Sequence, residues 1–161
     1  MNAPTSRPAP PAARRYFEDL AIGEVRESAP ATIARDEMLA FNRQYDPQYF
    51  HADPDAAKDS IFGDVIASGI YVMAVWRRLD HEIAHDIAWI CGIAWRDVRW
   101  QVAVRAGDTL RARSECLSKR ESGSDPRRGV VEYRYSLVNQ RGETAWECVS
   151  VNLVERRPRA G

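Results

Sequence analysis

The sequence predicts an α+β domain in which one long buried helix is wrapped by a curved antiparallel β-sheet. Three observations predict it. The stretch from Val65 to about Ala84 has helical length and is apolar nearly all round as far as Trp76, the composition of a helix buried on every side. After Cys91 the hydrophobic period changes to two, the spacing of strands. Turn-forming runs divide that second half into about four strands, and a run of strands beside one helix is an α+β layout.

The elements follow in chain order. Residues 1–14 hold four of the nine prolines and almost nothing large and apolar. Such a segment cannot offset its own ordering entropy and is expected to be a disordered tail. Tyr16 and Phe17 open the folded part, a single domain over 15–157, with 158–161 as a C-terminal tail. A short strand near Glu24 to Ile33 joins the sheet. Arg35 to Gln44 forms a short amphipathic helix, with Met38, Leu39 and Phe41 apolar and Asp36 and Glu37 in the first turn, where the helix dipole favours acids. Pro47 stops it. The polar, proline-containing segment that follows is mostly loop, and long loops of this kind are commonly functional. In the buried helix, Ile70, Val72, Met73 and Val75 are expected in the core.

The strands are expected at 91–105, 109–120, 129–139 and 143–155. Val131, Tyr133, Tyr135 and Leu137 alternate with Glu132, Arg134 and Ser136, and Ala145, Glu147, Val149, Val151 and Leu153 run through the last strand. Ala106-Gly107-Asp108, the polar run Glu121–Gly129 and Asn139–Gly142 are the turns. Trp76, Trp95, Trp100 and Trp146 are expected in the core or at an interface, an aromatic wall for an acyl or aryl chain being the alternative.

Composition limits the partners. Lys plus Arg and Asp plus Glu both number 23 in 161 residues, so the net charge is zero, which argues against nucleic acid as the main partner. Cys91, Cys116 and Cys148 show no CxxC spacing and are expected as buried thiols in a reducing compartment. No apolar run reaches membrane-span length, and the N-terminus lacks the apolar core of a signal peptide. A cytoplasmic protein is expected.

The chemistry concentrates between Asp46 and Gly69. A carboxylate and an imidazole holding one water can activate it and deliver a proton to carbon. A backbone N–H near a helix start, where glycine lets a ligand come close, can stabilise an oxyanion. Asp46, His51 and Gly69 are those groups. The segment FNRQYDPQYFHADPDAAKDSIFGDVIASG, Phe41 to Gly69, resembles the signature of MaoC-like (R)-specific enoyl-CoA hydratases. Asp46 and His51 match its Asp and His, and Ala57, Phe62, Gly63, Ile66, Ala67 and Gly69 match the rest in order. VRAGDTLRAR (104–113) and NQRGE (139–143) resemble later parts of the family.

That resemblance implies a hot-dog fold and reversible hydration of a 2-enoyl-CoA to a 3-hydroxyacyl-CoA, as in fatty acid metabolism. It implies coenzyme A as substrate carrier, no metal or other cofactor, and a homodimer or higher even-numbered oligomer with acyl-CoA across the interface. The implied catalytic residues are Asp46, His51 and Gly69. The implied substrate-binding residues are Gln48, Tyr49, Phe62, Ile66 and Ser68. Tyr45, Gln48 and Tyr49 replace the family's Gly, Asn and Pro, and Asp64 replaces a small residue. An acyl-CoA-binding subunit without turnover and an acyl-CoA thioesterase on the same fold are the alternatives.

His81-Glu82-Ile83-Ala84-His85 spells H-E-x-x-H, the zinc-protease pattern. Its flanks, Arg77, Arg78, Asp80 and Asp86, are charged and no third ligand follows at the usual spacing, so a polar, solvated helix end is expected. Arg127 and Arg128 sit in a turn and are expected as solvated charge, with CoA phosphates as the alternative partner.

Overall fold

The structure is a computed structural model that describes residues 14–158. Apart from Arg14 and Pro158, the two expected tails lie outside the described residues.

Two short strands, β1 (Val25–Glu27) and β2 (Ala31–Thr32), precede helix α1 (Arg35–Tyr45), the short helix α2 (Tyr49–Ala52) and the long helix α3 (Gly69–Ala84). Four long strands follow: β3 (Trp89–Trp100), β4 (Thr109–Glu121), β5 (Arg128–Asn139) and β6 (Thr144–Glu155). They form one antiparallel sheet in the order β1-β4-β5-β6-β3, with β2 also on β4. The sheet wraps α3, as a hot-dog fold requires.

The core lies between α3 and the inner face of the sheet. Trp76 is its centre, fully buried, with its ring 4.6 Å from that of Trp146 and 5.0 Å from that of Tyr135. Aromatic pairs at such spacing contribute about 1 kcal/mol each beyond their burial. Val131, Tyr133, Tyr135 and Leu137 point inward from β5, as their alternation predicts. On β6 the inward set is Trp146, Cys148, Ser150, Asn152 and Val154, while Val149, Val151 and Leu153 are half-buried on the outer face. The two buried polar residues satisfy one another, Ser150 Oγ donating to Asn152 Oδ1 at 3.0 Å.

Several expectations are corrected. The long helix begins at Gly69, not Val65, because the N–H groups just before it are taken elsewhere: Ile66 N donates to Phe50 O and Ala67 N to Val104 O. Ser68 caps the helix by accepting from Tyr71 N at 3.1 Å, an interaction of about 1 kcal/mol. Val72 and Val75 are core, but Ile70 is exposed and Met73 half-buried, so the first half of α3 has an open stripe. β3 spans 89–100; beyond it the chain leaves the sheet to bring Val104 beside Ala67. The expected N-terminal strand is broken at Pro30, which has no N–H to give a ladder. Cys116 and Cys148 are buried thiols, but Cys91 is exposed on the edge strand β3. Trp95 and Trp100, also on β3, are half exposed.

Among the described residues, no helix is long and apolar enough to cross a membrane.

Candidate active site

The loop after α1 and the start of α3 are tied together by one buried side chain. Asn42 lies on the inner face of α1 and is fully buried. Its Nδ2 donates to His51 O at 3.0 Å and to Ile66 O at 3.2 Å, and its Oδ1 accepts from Ser68 N at 3.2 Å. It thus joins α1, α2 and the residue that caps α3. Sequence reading missed Asn42. The signal was there: position 42 falls three and four residues after Leu39 and Met38, on the apolar stripe of the helix, where a polar residue needs partners.

Asp46 closes α1. Its N–H donates to Asn42 O at 2.8 Å, and Pro47 prevents another turn. The segment expected as loop contains α2, and this turn carries His51 inward, so that the histidine is buried. Nδ1 of His51 lies 2.9 Å from Ile66 O. A carbonyl only accepts, so Nδ1 carries a proton and Nε2 is the free position of the neutral ring. Nε2 faces Asp46 Oδ2 at 3.7 Å. That gap is too long for a direct hydrogen bond and suits one water shared by both atoms. Gln48 Nε2 holds the other carboxylate oxygen, Oδ1, at 3.0 Å.

At the start of α3, the Ser68 hydroxyl takes Tyr71 N and the Ser68 carbonyl takes Val72 N. Among the described residues, no backbone hydrogen bond takes the N–H of Gly69, which stays available to a ligand. The Trp100 indole covers the Cα of Gly69: a Cβ there would stand 3.0 Å from ring atoms Cε2 and Nε1. Any side chain at 69 would be tight against this indole, which would have to give by a few tenths of an ångström.

The remaining predicted contact residues are placed as follows. Tyr49 is exposed and edges onto Phe50 with ring centroids 5.1 Å apart; Phe62 is half-buried and 5.6 Å from Phe50. Ile66 and Ser68 are buried, Ile66 contributing its carbonyl to His51 and Ser68 its hydroxyl to the helix cap. Tyr45 packs on Phe41 with the rings tilted and their centroids 4.8 Å apart. Asp64 pairs with Arg35 through two contacts of 3.2 Å, and that guanidinium holds its carboxyl below the usual range. Arg105 ties the same loop by donating to Phe62 O at 2.8 Å.

His81, Glu82 and His85 lie on the exposed end of α3. The His85 ring is 3.2 Å from Glu82 O, and among the described residues no group of three or more His, Cys, Asp or Glu is arranged to hold a metal ion. Arg127 is solvated and paired with Asp125 at 2.9 Å.

The MaoC like domain family matches residues 18–139. A MaoC-like dehydratase from Rhodospirillum rubrum is 33% identical with a TM-score of 0.83, over 90% of this chain and 99% of that one. The 3-hydroxyacyl-thioester dehydratase Z of Mycobacterium tuberculosis is 29% identical over 150 residues, 87% of this chain and 97% of that protein. A conserved hypothetical protein of Mycobacterium tuberculosis with a double hotdog fold aligns over 92% of this chain and 46% of its own length, at 17% identity and a TM-score of 0.77, a likeness of fold. The family match spans the sheet's first strands, all three helices and the turn that carries Asp46 and His51; on that ground the chain belongs to the MaoC-like domain family.

Proposed function

We propose that this protein adds water reversibly to a 2-enoyl-CoA, giving a 3-hydroxyacyl-CoA, with Asp46, His51 and Gly69 as its catalytic groups. The observation that carries this reading is the 3.7 Å gap between His51 Nε2 and Asp46 Oδ2, with Nδ1 already committed to Ile66. A water in that gap has a base at Nε2 and an acceptor at Oδ2. As its oxygen bonds to C3, one proton passes to Nε2, and the imidazolium so formed is stabilised by the nearby carboxylate. The electrons of the double bond move onto the thioester oxygen. The free Gly69 N–H, at the positive end of α3, stabilises that charge. The Nε2 proton then goes to C2, and the dyad returns to its starting state. No redox group or metal takes part in this scheme.

Family membership and the name of the mycobacterial dehydratase support a hydro-lyase. In this reading Gln48 acts through its hydrogen bond to Asp46, and Tyr49, Phe62, Ile66 and Ser68 are the further substrate-binding residues. Residues 15–157 are taken as one domain.

A second copy completes the assembly. Among the described residues β3 is the last strand of the sheet, and nothing pairs with the outer edge of this 12-residue strand. Ile90, Ile93, Trp95 and Trp100 are exposed along it and Ile70 beside it on α3. An antiparallel copy of the same edge would pair with those backbone groups and cover the apolar side chains, as an isologous dimer does.

The test is a panel of acyl-CoA thioesters with the wild-type chain. Loss of enoyl thioester absorbance with formation of the 3-hydroxyacyl product supports the reading. Release of free CoA thiol would identify a thioesterase, and binding without turnover on every chain length would identify a carrier subunit.

A further inference from the structure

β3 changes its register with β6 close to the start of α3. Arg96 faces Val149 and Arg99 faces Glu147, so Asp97 and Val98 together oppose the single residue Cys148. This is a β-bulge, with Asp97 at φ 54°, a backbone conformation that non-glycine residues adopt at a cost. Strict alternation would put Trp95 and Trp100, five positions apart, on opposite faces of the sheet. The extra residue returns them to one face. Trp95 meets Trp76 of α3 at 5.3 Å, and Trp100 reaches the helix start, where its Nε1 donates to Gly69 O at 3.2 Å.

Glycine has the widest backbone freedom of any residue, so a glycine amide aimed at a ligand must be fixed by its neighbours. On one side, Asn42 Oδ1 takes Ser68 N. On the other, Trp100 takes the Gly69 carbonyl and lies against its Cα. The Gly69 N–H is left free between two fixed points. We propose that Trp100, aimed by the Asp97–Val98 bulge, is the positioning residue of the Gly69 amide. It acts through Gly69, and the proposal rests on the hydratase reading above.

The test has two arms. In the first, kcat and KM for 2-butenoyl-CoA are measured for wild type and Trp100→Phe, which keeps a ring but loses the donor. The expected result is a kcat lower by roughly three- to tenfold, the scale of one hydrogen bond, with KM within about twofold. In the second, Tm is measured for Gly69→Ala, Trp100→Ala and the double variant. Gly69→Ala is expected to lower Tm in the wild type, where its Cβ meets the indole, and to leave or raise it in Trp100→Ala, where that space is open and alanine favours the helix. Wild-type kcat in Trp100→Phe overturns the positioning role. Equal Tm losses for Gly69→Ala in both backgrounds overturn the clamp. A wild type that hydrates no enoyl thioester overturns the hydratase reading and the positioning role with it, while the sign of the Tm cycle still decides the clamp.

Discussion

His51 Nε2 and Asp46 Oδ2 stand 3.7 Å apart, each held from behind by a different partner: Ile66 O on the histidine and Gln48 Nε2 on the aspartate. The spacing is thus set by the fold. With the proton on Nδ1, Nε2 and Oδ2 are both acceptors, so a donor shared between them, such as one water, satisfies both. Gln48 replaces the family's Asn one methylene further out and still reaches the carboxylate.

Asn42 ties this arrangement to the rest of the protein. Asn42→Leu has similar volume but leaves Ser68 N and the carbonyl of His51 without a partner in a buried place. It is expected to lower stability by about 3 kcal/mol, measured by urea unfolding, with a fall in kcat as His51 and the helix start lose their common anchor. A stability within 0.5 kcal/mol of wild type, roughly the level of a neutral surface change, would show that these bonds carry no weight.

Much of this was legible in the sequence. The period-two run 131–137 identified β5 and its inward face, and Asp46 and His51 stood in a recognisable register with Gly69. The misses have physical causes. Val65, Ile66 and Ala67 are apolar, as helix residues would be, but their N–H groups are taken by Asp64 Oδ1, Phe50 O and Val104 O before Ser68 caps α3. Ser150 and Asn152 face the core and pair with each other, which no polarity pattern reveals. Trp100 sits over Gly69 only because the bulge at Asp97 inverts the strand's alternation, and a bulge without glycine has little sequence signature.

The N-terminal segment is held by a charge cluster with a pH signature. Glu24 accepts from Arg15 at 2.6 Å and from Arg26 at 3.0 Å. The Arg15 hydrogen bond, opposed by some burial, pulls its pKa from an ordinary 4.5 down to about 2. A depressed carboxylate stabilises the fold above its unfolded pKa and loses that contribution as pH falls through the folded one. Glu24→Gln is therefore expected to be less stable than wild type at neutral pH, and the difference should shrink as pH falls from 4.5 towards 2. A difference constant across that range, in parallel urea titrations, would contradict the pairing.

The edge of β3, unpaired among the described residues, gives a prediction about assembly. Ile93 is 54% exposed in the single chain, so Ile93→Glu should leave Tm of the isolated fold nearly unchanged. In the proposed dimer it buries an unpaired charge, and sedimentation velocity should show a shift from dimer to monomer. A dimer of undiminished stability would place the interface elsewhere.

The proposed chemistry rests on Asp46 and His51 activating one water between them. The most direct measurement is the hydration rate of 2-enoyl-CoA, followed by loss of enoyl absorbance, for wild type and Asp46→Asn at equal Tm. A kcat lower by about a hundredfold or more is expected in Asp46→Asn, the scale of a lost acid–base group. Equal rates for the two proteins would contradict it.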